Sequence, residues 1–256
     1  SLFGGIGSAA ADELLKNNQL VTILTRDDSK TELQTLKQRG AVPAKVDYAN
    51  QAAVQKALAG VEVVYARSRW ARSWMWRAPP RPRACSSSCR DEYGVYVTDG
   101  LNGQKKAMHD LLKELDLPYT IFYTGLFFEF APHTLSLDVE AGKLTVVDDG
   151  KTKLALTKRS EVGQFVAHAV STAPKSELQW AKIPFEGDRL SLLEIAALVE
   201  KKTDKKLDVT FLDYEETKKS YLPDGLWRVP QHAEVAAAKA KFFPEWSPSP
   251  FSPFFE

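Results

Sequence analysis

The chain predicts an α/β fold: a doubly wound parallel sheet with helices on both faces, followed by a small C-terminal α+β lobe. Three observations predict it. Short runs of Val, Ile and Leu alternate with helix-patterned segments from residue 20 to residue 65. A glycine-rich loop, Ser1-Leu2-Phe3-Gly4-Gly5-Ile6-Gly7, opens directly into a helix pattern. Beyond residue 130 the strands shorten and the order becomes mixed. These observations divide the chain into a core, 1–130, and a substrate-binding lobe, 131–256, with some of the later segments returning to the core.

The elements follow in order. Ala9 to Lys16 is a helix with Leu14 and Leu15 on its buried side, and Leu20-Val21-Thr22-Ile23-Leu24-Thr25 reads as a buried strand. Thr31 to Arg39 is a helix closed by Gly40, a residue suited to a helix C-terminus. Ala41 to Val46 is a strand, Asn50 to Ala59 a helix, and Gly60 to Tyr65 a further strand. Asn102 to Leu115 is a helix ended by Asp116 and Pro118, and Pro118 to Tyr123 is the next strand, followed by an apolar loop, Thr124 to Phe128. In the second lobe, Leu144 to Val147 and Lys153 to Leu156 flank Asp148-Asp149-Gly150 as a hairpin. Ser160 to Ser171 and Leu192 to Lys202 are helices, Asp208 to Leu212 is a strand, and the Pro-rich tail from Pro244 to Pro253 is an extended segment docked on the surface. A strand is also expected ahead of the glycine loop, at the centre of such a sheet. The sequence starts inside that loop and without a methionine, so the expectation is a chain incomplete at its N-terminus.

The glycine loop carries the first chemical reading. Glycine lets the backbone approach a pyrophosphate, and the free N–H groups of a helix N-terminus face the anion. In a full G-x-x-G-x-x-G fingerprint, Gly4 and Gly7 take the second and third glycine positions and Ser1 stands where the first belongs. Gly4, Gly5, Ile6 and Gly7 are therefore the candidate diphosphate-binding residues. Arg26 follows the next strand, close to where such folds read the adenosine ribose. An Arg pairs with a 2′-phosphate and favours NADP, with NAD the lesser candidate; Asp27 beside it would suit the NAD ribose. Asp47 ends the following strand, where a carboxylate accepts from an adenine amino group or caps the next helix; the sequence leaves both open.

Composition limits the rest. The formal net charge of +1 argues against a dedicated nucleic-acid binder. No stretch is long and apolar enough to span a bilayer, so no membrane partner is expected. The two cysteines, Cys85 and Cys89, lack the spacing of a redox or zinc pair, and no metal site is expected. A reducing, cytoplasmic setting follows as the default.

Residues 66–90 have a different character. The stretch ARSRWARSWMWRAPPRPRACSSSCR holds seven arginines, three of the six tryptophans and both cysteines, with no acid and no Leu, Ile or Val. Three readings compete: an out-of-frame or intronic stretch, which naturally yields Arg, Pro, Ala, Ser, Trp and Cys; a basic aromatic insertion touching RNA or anionic lipid; and a disordered surface loop.

Past that stretch the motifs resemble a known family. Lys105 stands twelve residues before Leu117-Pro118-Tyr119-Thr120, and Glu92-Tyr93-Gly94 precedes both. Thr157-Lys158-Arg159-Ser160-Glu161-Val162-Gly163, Gly187-Asp188-Arg189-Leu190-Ser191 and Phe243-Pro244-Glu245-Trp246 follow in order. Together they resemble the NmrA-like and isoflavone reductase-like branch of the atypical short-chain dehydrogenases. The resemblance implies an NADP-binding Rossmann-like core and a substrate cleft between core and lobe. In the reductases of that branch the helix lysine is the acid/base group beside the nicotinamide; carried over, that is Lys105, against the alternative of a solvated helix residue. The chemistry is sound, since a lysine desolvated in a cleft becomes a proton donor near neutral pH. Other members are non-catalytic NAD(P)-sensing regulators that bind a protein partner. The expectations are thus an NADPH-dependent reductase of a small apolar or aromatic substrate, or such a regulator. Phe127, Phe128 and Phe130 either line the substrate pocket or belong to the core. Tyr214-Glu215-Glu216-Thr217-Lys218 matches Tyr-x-x-x-Lys but falls in the small lobe, so it reads as a surface helix. His133, His168 and His232 show no ligand spacing.

Overall fold

The computed structural model describes residues 5–65, 83–88, 109–110, 112–114, 116, 118–214, 216–217 and 232–251. The core is built from parallel strands. β1 (Thr22–Thr25) pairs with β2 (Val42–Lys45). β3 (Val63–Tyr65), β4 (Arg83–Ser88), β5 (Tyr119–Tyr123) and the later β10 (Lys182–Pro184) form a second parallel sheet in the order β10-β5-β4-β3. Among the described residues no ladder joins β1 to β3.

Helices cover both faces. α1 (Ile6–Lys16), α2 (Thr31–Gln38) and β1 share a core of Ala11, Val21, Ile23, Leu33 and Leu36. α3 (Gln51–Ala57) seats Val54 beside Val46, Leu112 and Ile121, and so spans both sheets. Asn50 starts α3 by accepting from the Ala53 amide at 3.1 Å, an N-cap of about 1 kcal/mol. The helix expected over Asn102–Leu115 is helical at 109–110 and 112–114; the rest of it lies outside the described residues.

Two three-stranded sheets complete the described strands. β6 (Leu126–Phe127), β9 (Lys153–Thr157) and β11 (Asp188–Ser191) form one, in the order β11-β9-β6. β7 (Leu137–Asp138), β8 (Lys143–Val147) and β12 (Asp208–Leu212) form the other, in the order β12-β8-β7. The short helix α4 (Ala131–Thr134) follows β6, α5 (Arg159–Thr172) and α6 (Lys175–Leu178) lead into β10, and α7 (Leu192–Thr203) lies between β11 and β12. Ser191 and Glu194 close a capping box at the start of α7. The last helix, α8 (His232–Phe242), returns to the core: Ala238 and Phe242 pack with Phe165, Phe185 and Trp246.

Three expectations change. The hairpin around Asp149 is not one: β8 and β9 belong to different sheets. Asp148 turns through φ 63 and Gly150 through φ 68, and the Asp149 carboxylate accepts from the Lys151 amide, which peels the chain away from β8. The apolar loop after β5 contains β6, because Gly125 at φ 64 lets the chain come against Ala155 and pair Leu126 with Leu156. Within 66–90, Arg83–Ser88 is a strand between β3 and β5 and not a loop. Its ladder needs only backbone groups, so small side chains suffice. Residues 66–82 and 89–90, with Cys89, lie outside the described residues. The tail is docked as expected: Trp246 and Phe251 are buried, the Ser249 amide donates to Glu161 at 2.7 Å, and the Phe251 amide donates to Asp188 at 2.8 Å.

Candidate nucleotide-binding site

The site is organised by α1 and α5, which lie side by side. Gly163 makes this possible. A Cβ there would stand 2.2 Å from the Ile6 carbonyl oxygen and 2.7 Å from the Ala10 amide nitrogen, so only glycine admits backbone contact between the helices. The contacts run in parallel register. Gly5 meets Arg159, Ile6 and Ala10 meet Gly163, Glu13 meets His168, and Asn17 meets Ser171. Both helix N-termini, with their partial positive charge, therefore lie at the same end.

The strand ends carry the other expected residues. The chain turns after α1 into β1, whose Ile23 shares a buried cluster with Ala11 of the helix. Arg26 and Asp47 sit just past the ends of the parallel neighbours β1 and β2, where ligands bind in open α/β sheets.

The expected residues that the structure describes are Gly5, Ile6, Gly7, Arg26 and Asp47. Gly5 is the residue before α1, at φ 45, a conformation that suits glycine; it offers no side-chain cap, so the amides of Ile6, Gly7 and Ser8 lack an intrahelical partner. Ile6 is fully buried against Val162, Phe165 and Phe122, which anchors the loop. Gly4 and Lys105 lie outside the described residues. Arg26 lies over the Tyr48 ring, 5.6 Å from its centroid, and the Tyr48 hydroxyl donates to the Leu24 carbonyl at 2.8 Å. Burial raises the Tyr48 pKa, against the opposing pull of Arg26, so the phenol stays a donor. Asp47 accepts from the Ala49 amide at 2.9 Å in the turn before α3, and Asn50 rather than Asp47 caps that helix.

Asp27 bears on cofactor choice. Its carboxylate accepts from the Ser29 hydroxyl at 2.6 Å and the Ser29 amide at 3.0 Å. Those bonds hold its pKa below the usual carboxylate value. One of its oxygens is thereby engaged in its own turn, while Arg26 lies on an aromatic face beside the strand end.

Sequence reasoning missed Arg159. Its Nε and guanidinium carbon lie 3.7 Å from where a Cβ on Gly5 would be, and its guanidinium lies 5.2 Å from the Phe130 ring centroid. Glu129 caps α5 by accepting from the Arg159 amide at 3.1 and 3.3 Å. Of the three phenylalanines, Phe127 and Phe128 are core residues, and only Phe130 is exposed. No spacing rule links residue 159 to residue 5. The one available signal is the glycine inside a helix pattern at 163, which marks a close helix contact.

His109 stacks on Tyr119, and His168 stacks on Phe243 with ring centroids 3.6 Å apart. Among the described residues no three His, Cys, Asp or Glu side chains converge on a point a metal ion could occupy, and no helix is long and apolar enough to cross a membrane.

Solved structures share the fold. An isoflavone reductase superposes with a TM-score of 0.78 at 17% identity, covering 100% of this chain and 96% of that one. A leucoanthocyanidin reductase bound to NADPH, from Vitis vinifera, gives 0.71 at 16% identity, covering 99% and 96%. An NADPH-dependent quinone oxidoreductase complexed with NADPH, from Escherichia coli, gives 0.67 at 21% identity, covering 95% and 89%. No curated protein matches in sequence. The model of the NmrA-like family matches residues 3–73 and 86–247, breaking off only within the arginine- and tryptophan-rich stretch. This chain, with its Rossmann-like core, therefore belongs to the NmrA-like family.

Proposed function

We propose that this protein binds NADP and is an NADPH-dependent reductase of a small apolar or aromatic substrate. The observation that carries the reading is the uncapped N-terminus of α1 behind Gly5, with Arg26 just past the C-terminal end of β1. The unpartnered amides behind Gly5 suit a diphosphate. Arg26 suits a 2′-phosphate and favours NADP over NAD. Asp47 keeps a second carboxylate oxygen for an adenine amino group. The named NADPH complexes among proteins of the same fold support the same choice.

When bound, the cofactor supplies a hydride. The chain's own part is to hold the two phosphate regions at Gly5–Gly7 and Arg26, and to present Phe130 as an apolar wall. Lys105 donates a proton to the substrate atom that gains negative charge. Titration of the purified chain with NADPH and with NADH, followed by nucleotide fluorescence, tests the first half; NADPH binding at least tenfold tighter is expected. A folded protein that binds neither overturns the reading. For the second half, Lys105→Met should lower kcat by about 100-fold or more and leave the Kd for NADPH within twofold. Unchanged turnover would remove Lys105 from the mechanism and favour a nucleotide-sensing role.

A further inference from the structure

We propose that Arg159 is the cationic partner of the cofactor diphosphate, with Phe130 and Glu129 as its positioning residues. This rests on the NADP reading above and adds a residue that neither the glycine loop nor the ribose end supplies. Arg159 is partly buried at the start of α5, and its Nε is buried with no hydrogen-bond partner. Among the described residues no carboxylate pairs with its guanidinium. An unpaired, half-desolvated cation is costly, so its neighbours must hold it there for something else to meet.

Those neighbours explain how it is held. One face of the guanidinium lies on Phe130, a cation–π contact at 5.2 Å. Gly5 lies against the same side chain, since an added Cβ there would be 3.4 Å from the Arg159 Cβ and 3.7 Å from its Cζ and Nε. The Glu129 carboxylate is turned to the Arg159 backbone amide and so offsets the positive end of α5. At the parallel end of α1, Gly5 brings no such anion and the first turn of α1 carries no acid. Two unsatisfied positive features thus stand side by side, the amides of α1 and the Arg159 guanidinium. A phosphoric anhydride fits both, with one phosphate on the amides and the adjoining one on the guanidinium, a planar fork matched to phosphate oxygens.

The test compares a ligand with the diphosphate and one without it. Wild type, Arg159→Met and Arg159→Lys are titrated with NADPH and with adenosine 2′-monophosphate. The expected result for Arg159→Met is a Kd for NADPH raised tenfold or more, with the value for adenosine 2′-monophosphate changed less than twofold. Arg159→Lys should recover part of the loss. An Arg159→Met protein that binds NADPH within threefold of a binding wild type overturns this proposal and leaves the NADP reading standing. Equal weakening of both ligands also overturns it, because Arg159 would then only support the loop. A folded wild type that binds neither overturns the NADP reading and this proposal with it. If the variants do not fold, phenylglyoxal modification of the wild type, mapped by mass spectrometry, replaces them: NADPH should protect Arg159, and an unchanged modification rate refutes the proposal.

Discussion

The two ends of the α1–α5 pair are built in opposite ways. At the C-terminal end polar groups are paired, across the seam and within α1 itself. Asn17 donates to Ser171 at 2.8 Å, His168 faces Glu13 at 3.5 Å, and Lys16 reaches the same carboxylate at 3.3 Å. At the N-terminal end Gly5 offers no cap and the Arg159 Nε has no hydrogen-bond partner. The matched end stabilises the protein, and the unmatched end is what a ligand can complete. Native folds keep buried unpaired side-chain atoms rare, and the Arg159 Nε is one of them, so it points to function.

The largest expected effect breaks the pair at its contact point. Gly163→Leu places a side chain where the Ile6 carbonyl stands and should cost about 3 kcal/mol or more, measured by urea unfolding. NADPH binding should fail with it, because α1 would no longer be held. A stability change below about 1 kcal/mol would mean that the helices do not touch there.

The next two sharpen the contrast between the ends. Asn17→Ala should lose about 1 kcal/mol of stability with no change in NADPH affinity. Arg159→Met should do the reverse, altering stability by less than about 0.5 kcal/mol while weakening NADPH. Urea midpoints and Kd values measured on both variants check the pair. If both move stability alone, the difference between the ends is not functional.

The smallest effect lies away from both ends, at α7. The Lys153 ammonium and the Ser191 amide, in that order, hold the Glu194 carboxyl down to about 2 from its ordinary 4.5. A depressed folded pKa means stability present above the unfolded value and lost as the pH falls through the folded one. Glu194→Gln should therefore lower the urea midpoint slightly at pH 7, with the difference shrinking below pH 4.5 and vanishing near pH 2. The pair is exposed and screened, so the shift is small and falls further in salt. A difference that persists at pH 2 would put the effect in packing and not in charge.

Much of this architecture was legible because it is local. β1, β2, α2, α3, α5 and α7 fall within a few residues of where periodicity and glycine punctuation place them. Gly5, Ile6 and Gly7 sit at a helix start, and Arg26 and Asp47 sit at strand ends, because those positions follow from short-range order. Lys105 and Gly4 fall outside the described residues. The hairpin at Asp149 misled because strand propensity says that two segments are extended, not which partners they choose. The stretch at 66–90 misled at Arg83–Ser88 because a central parallel strand is held by its backbone ladder.

The sequence by itself determined the α/β alternation, the helix start at the glycine loop, and the cation that follows β1. Those depend on residues within one turn or one strand of each other. Only the tertiary structure decided that Gly163 brings α5 onto α1, and that Arg159 thereby lies against Gly5, 154 positions away in the chain. The choice is made by close packing, since a gap of one missing Cβ fixes which helix faces can meet.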